Sequence, residues 1–314
     1  MKRKRIRIIL YVLIVVLLGV FGYSVYRYLS IQKDYREEQK AHDLLLQYRP
    51  ELPVWADPDY PVQTLPEQET ISPGHPEIDP QGQSPDSLDQ PERPEKLTNE
   101  SILRLRQDYP NAVGWITVPG TDVDYPIVQG KDNSYYLRRG IDGKYLYAGV
   151  PFLDYRCPSD FSGSNSIIFG HNLRNGSMFG TLSNFKKQSF FSLHRFFYVF
   201  LEHRTIQAEV IACLVITPDQ APYVFEPEVS ADFAADCLRD ARCARSDAVF
   251  SETDRFITLA TCDYEKDNSR VILIGRICNR VIRAGPLPRV GVIFRALATG
   301  IENISDKCVL LLVF

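Results

Sequence analysis

Residues 255–275 read RFITLATCDYEKDNSRVILIG. Two apolar runs, FITLATC and VILIG, flank a short polar loop. Runs rich in Ile, Val, Thr and Phe, bounded by Asp, Asn and Ser, predict strands. Cys262 stands where the first strand gives way to the loop, and Arg270 opens the second. A cysteine within a strand is usually a small buried hydrophobe. At a strand end it is rigidly held and still reachable, as a nucleophile must be. An arginine opening the next strand can reach back to the same place.

The same type of run recurs upstream: GWITV, VDYPIV, SNSIIFG, FFYVFL and AEVIACLVI. Several short strands without regular alternation of strand and helix predict a mainly β barrel or sandwich. One helix interrupts them late. In VSADFAADCLRDARCARSD, Phe233, Cys237, Leu238 and Ala241 share one helical face, and Ser230 is the candidate cap. Upstream, Thr98 or Asn99 can cap a short helix carrying Ile102, Leu103, Leu105 and Tyr109.

The chain has 314 residues and a net charge of −3, which gives no reason to expect nucleic acid as a partner. Its charge is uneven. The start, MKRKRIR, is basic, and no residue from Ile8 to Val25 is charged. That run is long enough to cross a bilayer. It is too long for a signal peptide and no small-residue cleavage site follows it. Basic residues before a span stay in the cytoplasm, so the rest of the chain is expected outside. Residues 29–49 are charged and free of glycine, which predicts a helical stalk. Residues 50–96 hold 11 of the 21 prolines and 11 acidic residues against 2 basic ones. Such a segment cannot bury enough apolar surface to order itself. Its length suggests a domain held away from the membrane. The expected organisation is a cytoplasmic start at 1–7, a transmembrane anchor at 8–28 and a helical stalk at 29–49. A disordered acidic linker at 50–96, a catalytic domain at 97–277 and a tail without clear pattern at 278–314 follow.

Seven cysteines without CxxC spacing fit neither a disulfide framework nor a zinc site, so free thiols are expected and no metal or cofactor is called for. Cys213 and Cys237 fall at core positions of a strand and a helix. Of five histidines, His42 and His75 lie in stalk and linker, and His194 and His203 in charged turns read as exposed. His171 differs: it ends SIIFG and opens the polar loop HNLRNGSMFG. His171 and Cys262 thus each occupy the C-terminal edge of a predicted strand, and two such edges can share one rim of a barrel. A thiolate is a nucleophile, and a neighbouring imidazolium stabilises it. The imidazole can then protonate a leaving amine, and a guanidinium can hold a tetrahedral oxyanion.

TLATC with an arginine eight residues later, and IIFGHN upstream, resemble the sortases. GWITVPGTDVDYPIVQGKDNSYYL, GKYLYAGVPFLDYR and IIFGHNLRNGSMFGTL resemble class B over roughly residues 100–276. The resemblance implies an eight-stranded β-barrel with an N-terminal helical part and a helix inserted before the cysteine strand. It implies a transpeptidase that cleaves a C-terminal sorting signal of a secreted protein after Thr. An amine of peptidoglycan or of its lipid-linked precursor then resolves the acyl-enzyme. Cys262 is implied as nucleophile, His171 as general acid/base and Arg270 as clamp on the oxyanion or substrate carbonyl. Asn133 and Leu137 match an Asn-x-x-x-Leu pattern, Tyr223 an aromatic before the inserted helix, and Asp263 an acidic position beside the nucleophile; all four are implied in substrate binding. Ala260 stands where many class B members carry Ser. A peptidase that only hydrolyses and a pilin-polymerising sortase are the alternative functions.

Overall fold

The computed structural model describes residues 2–52, 99–264 and 268–278. Most of the 50–96 segment, the tail beyond Cys278, Thr98 and His75 lie outside them. Nine strands form one sheet: β1 (Ala112–Thr117), β2 (Asp124–Gln129), β3 (Phe152–Leu153), β4 (Asn165–Phe169), β5 (Phe196–Phe200), β6 (Thr205–Ile216), β7 (Cys243–Ala244), β8 (Phe256–Cys262) and β9 (Arg270–Ile277). The order is β5-β1-β2-β3-β4-β8-β9-β6-β7, and β5 also pairs with β6. That last pairing closes eight strands into a barrel and leaves β7 as a short flap on β6. Closure removes the free edges that an open sheet would expose.

Most pairs are antiparallel, but β2–β3 and β4–β8 are parallel. The inner face of the barrel is filled by Ile116, Ile127, Leu153, Ile168, Phe197, Val199, Leu259 and Leu273, among others. The outer face of β6, β8 and β9 is also apolar. Ile272, Ile274, Leu214 and Ala260 pack there against Phe233 and Cys237 of helix α3 (Phe233–Arg239). Burial on both faces explains why VILIG is a continuous apolar run rather than an alternating one. The expected cap at Ser230 is not made. Asp232 occupies the cap position without a side-chain bond, and the Ser230 carbonyl accepts the Phe233 N–H in the preceding turn.

The first helix, α1, is unbroken from Lys2 to Leu45. It includes one stretch long and apolar enough to cross a membrane. Helix α2 (Glu100–Asp108) is capped by Asn99, whose side chain accepts from the Ile102 N–H. It buries Ile102 and Leu105 against Leu45, Trp115 and Phe200. The far half of α1 is therefore no free stalk. Tyr35 packs with Tyr125, Leu173 and Met178, and the His42 ring lies 4.3 Å from that of Tyr125. Arg49 pairs with Asp124 at 2.6 Å. Buried Glu38 accepts from the Tyr125 hydroxyl at 3.3 Å and from Ser177 Oγ at 3.2 Å. The far half of the helix thus lies along the barrel, while the linker whose length suggests a domain held away from the membrane lies outside the described residues.

Two smaller strands and one histidine also depart from expectation. β3 and β7 have two residues each, too few to leave a periodic signal. His194, read as exposed, is half-buried and stacked on Phe190 at 3.8 Å between ring centres.

Candidate active site

The register of the barrel assembles three side chains. β4 runs parallel to β8 with Phe169 opposite Ala260. Two residues further along both strands come His171 and Cys262. The Gly170 N–H donates to the Ala260 carbonyl at 3.1 Å, and Asn172 Nδ2 to the Cys262 carbonyl at 2.7 Å. On the other side, β8 and β9 are antiparallel, and Cys262 is the direct partner of Arg270. His171, Cys262 and Arg270 thus sit on three adjacent strand ends at one rim.

Gly170, just before the histidine, has a steric reason. A Cβ there would meet the ring of buried Phe179 at 2.5 Å. The Phe179 N–H in turn donates to the His171 carbonyl at 3.0 Å. Gly170→Ala should displace that ring and the histidine with it. The expected loss is about 1–3 kcal/mol of stability, seen as a lowered Tm, with lowered turnover of a peptide substrate.

His171 is half-buried, and its Nε2 lies 2.8 Å from the Leu137 carbonyl. A carbonyl can only accept, so Nε2 carries the proton and Nδ1 is left for proton exchange. Burial, and to a lesser extent the Arg138 charge, hold the imidazole below its ordinary range, against the opposing pull of the Leu137 carbonyl. An NMR titration of His171 in the unliganded enzyme should therefore show a midpoint below the usual value of about 6.5. Arg138→Gln should move it upward, because removing a positive neighbour eases protonation.

Cys262 is partly exposed, unlike Cys157, Cys213, Cys237 and Cys243, which are buried. Burial pushes the Cys213 thiol up to about 12 and raises those of Cys237, Cys157 and Cys243 as well. These four are poor nucleophiles, since the thiolate is the reactive form. Arg270 is also partly exposed. Among the described residues its guanidinium donates only to the neighbouring Ser269 carbonyl, at 3.1 Å, which leaves most of its donors for a ligand.

The four candidate substrate-binding residues fall in different roles. Leu137 supports His171 through its backbone, and the residue is 38% exposed. Asn133 donates to Asp154 Oδ2 at 2.9 Å and accepts from the Tyr155 N–H at 3.1 Å, so its amide is engaged within the loop. The Tyr223 hydroxyl donates to Asp240 Oδ2 at 2.9 Å and so ties the 222–225 turn to the end of α3. The Asp263 side chain turns inward, 3% exposed, onto Lys186 Nζ at 3.0 Å. A carboxylate so held is a wall of the site rather than a free hand for substrate.

Arg156 is a residue that the sequence does not single out. It pairs with the fully buried Asp154 through Nε and Nη2. Its Nη2 also reaches the Phe225 carbonyl at 2.7 Å. Asp154 holds Asn133, so one arginine links the loop of Asn133 and Leu137 to the turn of Tyr223. No motif flags it, because its partners are a buried carboxylate and a distant carbonyl. Beside Cys262, an open cavity of ≈ 560 Å³ is lined by Asn172, Arg174, Lys186, Asp263 and Tyr264, among others.

Among known proteins, the sortase domain matches residues 116–277 of this chain. The chain belongs to the sortase family. Sortase B of Listeria monocytogenes is 36% identical over 186 residues, covering 57% of this chain and 73% of the relative. Sortase B of Staphylococcus aureus is 28% identical over 183 residues, with the same coverage. Among solved structures, Bacillus anthracis sortase B superposes with a TM-score of 0.53 at 31% identity, covering 58% of this chain and 86% of that one. A class B sortase of Streptococcus pyogenes involved in pilus biogenesis gives 0.52 at 31%, covering 56% and 96%. These relatives place this sortase in class B, with a mainly β eight-stranded barrel, and make it a cysteine transpeptidase.

Proposed function

We propose that this sortase cleaves a C-terminal sorting signal of a secreted protein after a threonine and transfers the new carboxyl end to an amine of peptidoglycan or of its lipid-linked precursor. The Cys262 thiol gives its proton to His171 Nδ1, and Sγ attacks the Thr carbonyl to form the thioester. His171 protonates the departing amine as the C–N bond breaks. An incoming amine then attacks the thioester, gives up a proton to His171, and releases Sγ as a new amide forms. Arg270 donates to the oxyanion in both tetrahedral steps. The observation that carries this reading is the register that sets Cys262 opposite Arg270 and the end of β4 beside the end of β8.

Residues 8–28 anchor the chain with the basic start in the cytoplasm and the barrel outside. Asn133, Leu137, Tyr223 and Asp263 shape the substrate groove, the last through its ion pair with Lys186. The test is incubation of the full-length enzyme with a panel of sorting-signal peptides, with and without an amine acceptor. Mass spectrometry should show cleavage after Thr and an acceptor-linked product. Cleavage with water as sole acceptor would make the protein a hydrolase. The structural similarity to the S. pyogenes enzyme of pilus biogenesis makes a pilin lysine the second acceptor to try.

A further inference from the structure

The loop that follows His171 packs, through Leu173 and Met178, in the cluster that Tyr35 of α1 joins. Tyr35 packs against the cluster of Tyr125, Ala148, Leu173 and Met178, and Leu146 packs against the same cluster. Tyr28, at the end of the apolar span, is only seven residues earlier on the same unbroken helix. At about 1.5 Å per residue, that is roughly 10 Å. The opposite end of the docked segment, Leu45, packs on α2 and β1 about 15 Å further from the span. Leu146 and Leu173 thus bring the loops 138–147 and 171–178 to the face of the barrel that meets Tyr35, and the Tyr264 hydroxyl donates to the Asn172 carbonyl in the second of them.

This level of the surface is basic and aromatic. The loop 138–147 is a small hairpin, with Arg139 bridged to Tyr145 and the Gly140 N–H donating to the Lys144 carbonyl. It exposes Arg138, Arg139, Lys144, Tyr145 and Tyr147; the Tyr145 residue is 74% exposed and the Lys144 side chain 85%. With exposed Arg174, there are four cations against one carboxylate, Asp142, on a chain whose net charge is −3. Arg138 lies over the Tyr147 ring at 4.3 Å and Arg174 over Tyr264 at 5.4 Å. Tyrosines and basic side chains at this depth match the headgroup layer, where amphipathic rings settle and anionic lipids attract cations.

We infer that the hairpin 138–147, together with Arg174 and Tyr264, docks on the anionic headgroups of the bilayer that holds α1. The docking turns the Cys262 rim toward the membrane surface. It also bears on catalysis, because the base of the hairpin is Leu137, whose carbonyl holds His171. The inference rests on the reading of residues 8–28 as a membrane span.

The test reconstitutes the full chain in phosphatidylcholine vesicles, with and without phosphatidylglycerol, and follows backbone hydrogen exchange. Each interfacial cation favours an anionic surface by about fivefold, so exchange in 138–147 should slow about tenfold or more when phosphatidylglycerol is present. High salt should remove the difference, as should the combined Arg139→Gln, Lys144→Gln and Arg174→Gln substitutions. Equal exchange in both vesicles, with the chain still retained after an alkaline carbonate wash, overturns the docking. Loss of the chain in that wash overturns the span itself. Protection that appears equally in neutral vesicles, or survives high salt, also overturns the electrostatic docking.

Discussion

Cys262→Ala should abolish turnover, and His171→Ala should lower kcat/KM by about 10²–10⁴, the usual worth of a positioned general acid/base. The two should be strongly non-additive, because imidazole and thiol act as a unit. Neither change should unfold the barrel. Cys262 is at a partly exposed strand end, and His171 loses only the hydrogen bond to Leu137, on the order of 1 kcal/mol. The measurement is steady-state kinetics on one sorting-signal peptide with an amine acceptor, beside thermal melts of all three proteins. A folded His171→Ala enzyme within a few-fold of full activity would remove His171 from the chemistry.

Arg270→Lys carries the second large effect. The ladder places Arg270 opposite Cys262, and a lysine would keep the charge there. A point charge on a flexible stem does not reproduce the planar fork of a guanidinium. A loss of roughly 10²–10³ in kcat/KM is expected, the scale of one oxyanion donor. Its one bond among the described residues goes to a neighbouring carbonyl, so stability should change by only about 0.5 kcal/mol. Near-full activity in a folded Arg270→Lys enzyme would reduce Arg270 to a surface charge and end its part in the proposed mechanism.

Much of the candidate site was legible because the candidate nucleophile and clamp belong to one local signal. Cys262 and Arg270 bracket a loop between two apolar runs, and neighbouring strands joined by a short loop pair across it. The buried thiols were legible too: Cys213 and Cys237 fall on apolar faces, and both are fully buried. The substrate-binding positions were less so. Asp263 looks like a surface acid in sequence, yet its side chain is held inward by Lys186, 77 residues away. An acidic letter states a charge but not the direction in which the Cα–Cβ bond points.

The sequence by itself determined the elements. Run length and β-branched content set all the longer strands, the uncharged stretch set the apolar length of α1, and the Thr98–Asn99 pair bounded the start of α2. These are local properties, written in neighbouring residues. Tertiary structure alone decided the closure of β5 onto β6, the parallel pairing of β4 with β8 that joins Asn172 to Cys262 across 90 positions, and the Leu137 carbonyl as partner of His171. It also decided that α1 lies along the barrel, with Glu38 buried among Tyr125 and Ser177. The physical reason is common to all four. Backbone carbonyls are the same at every residue, and a buried polar pair leaves no periodic trace, so such contacts exist only once the chain has closed on itself.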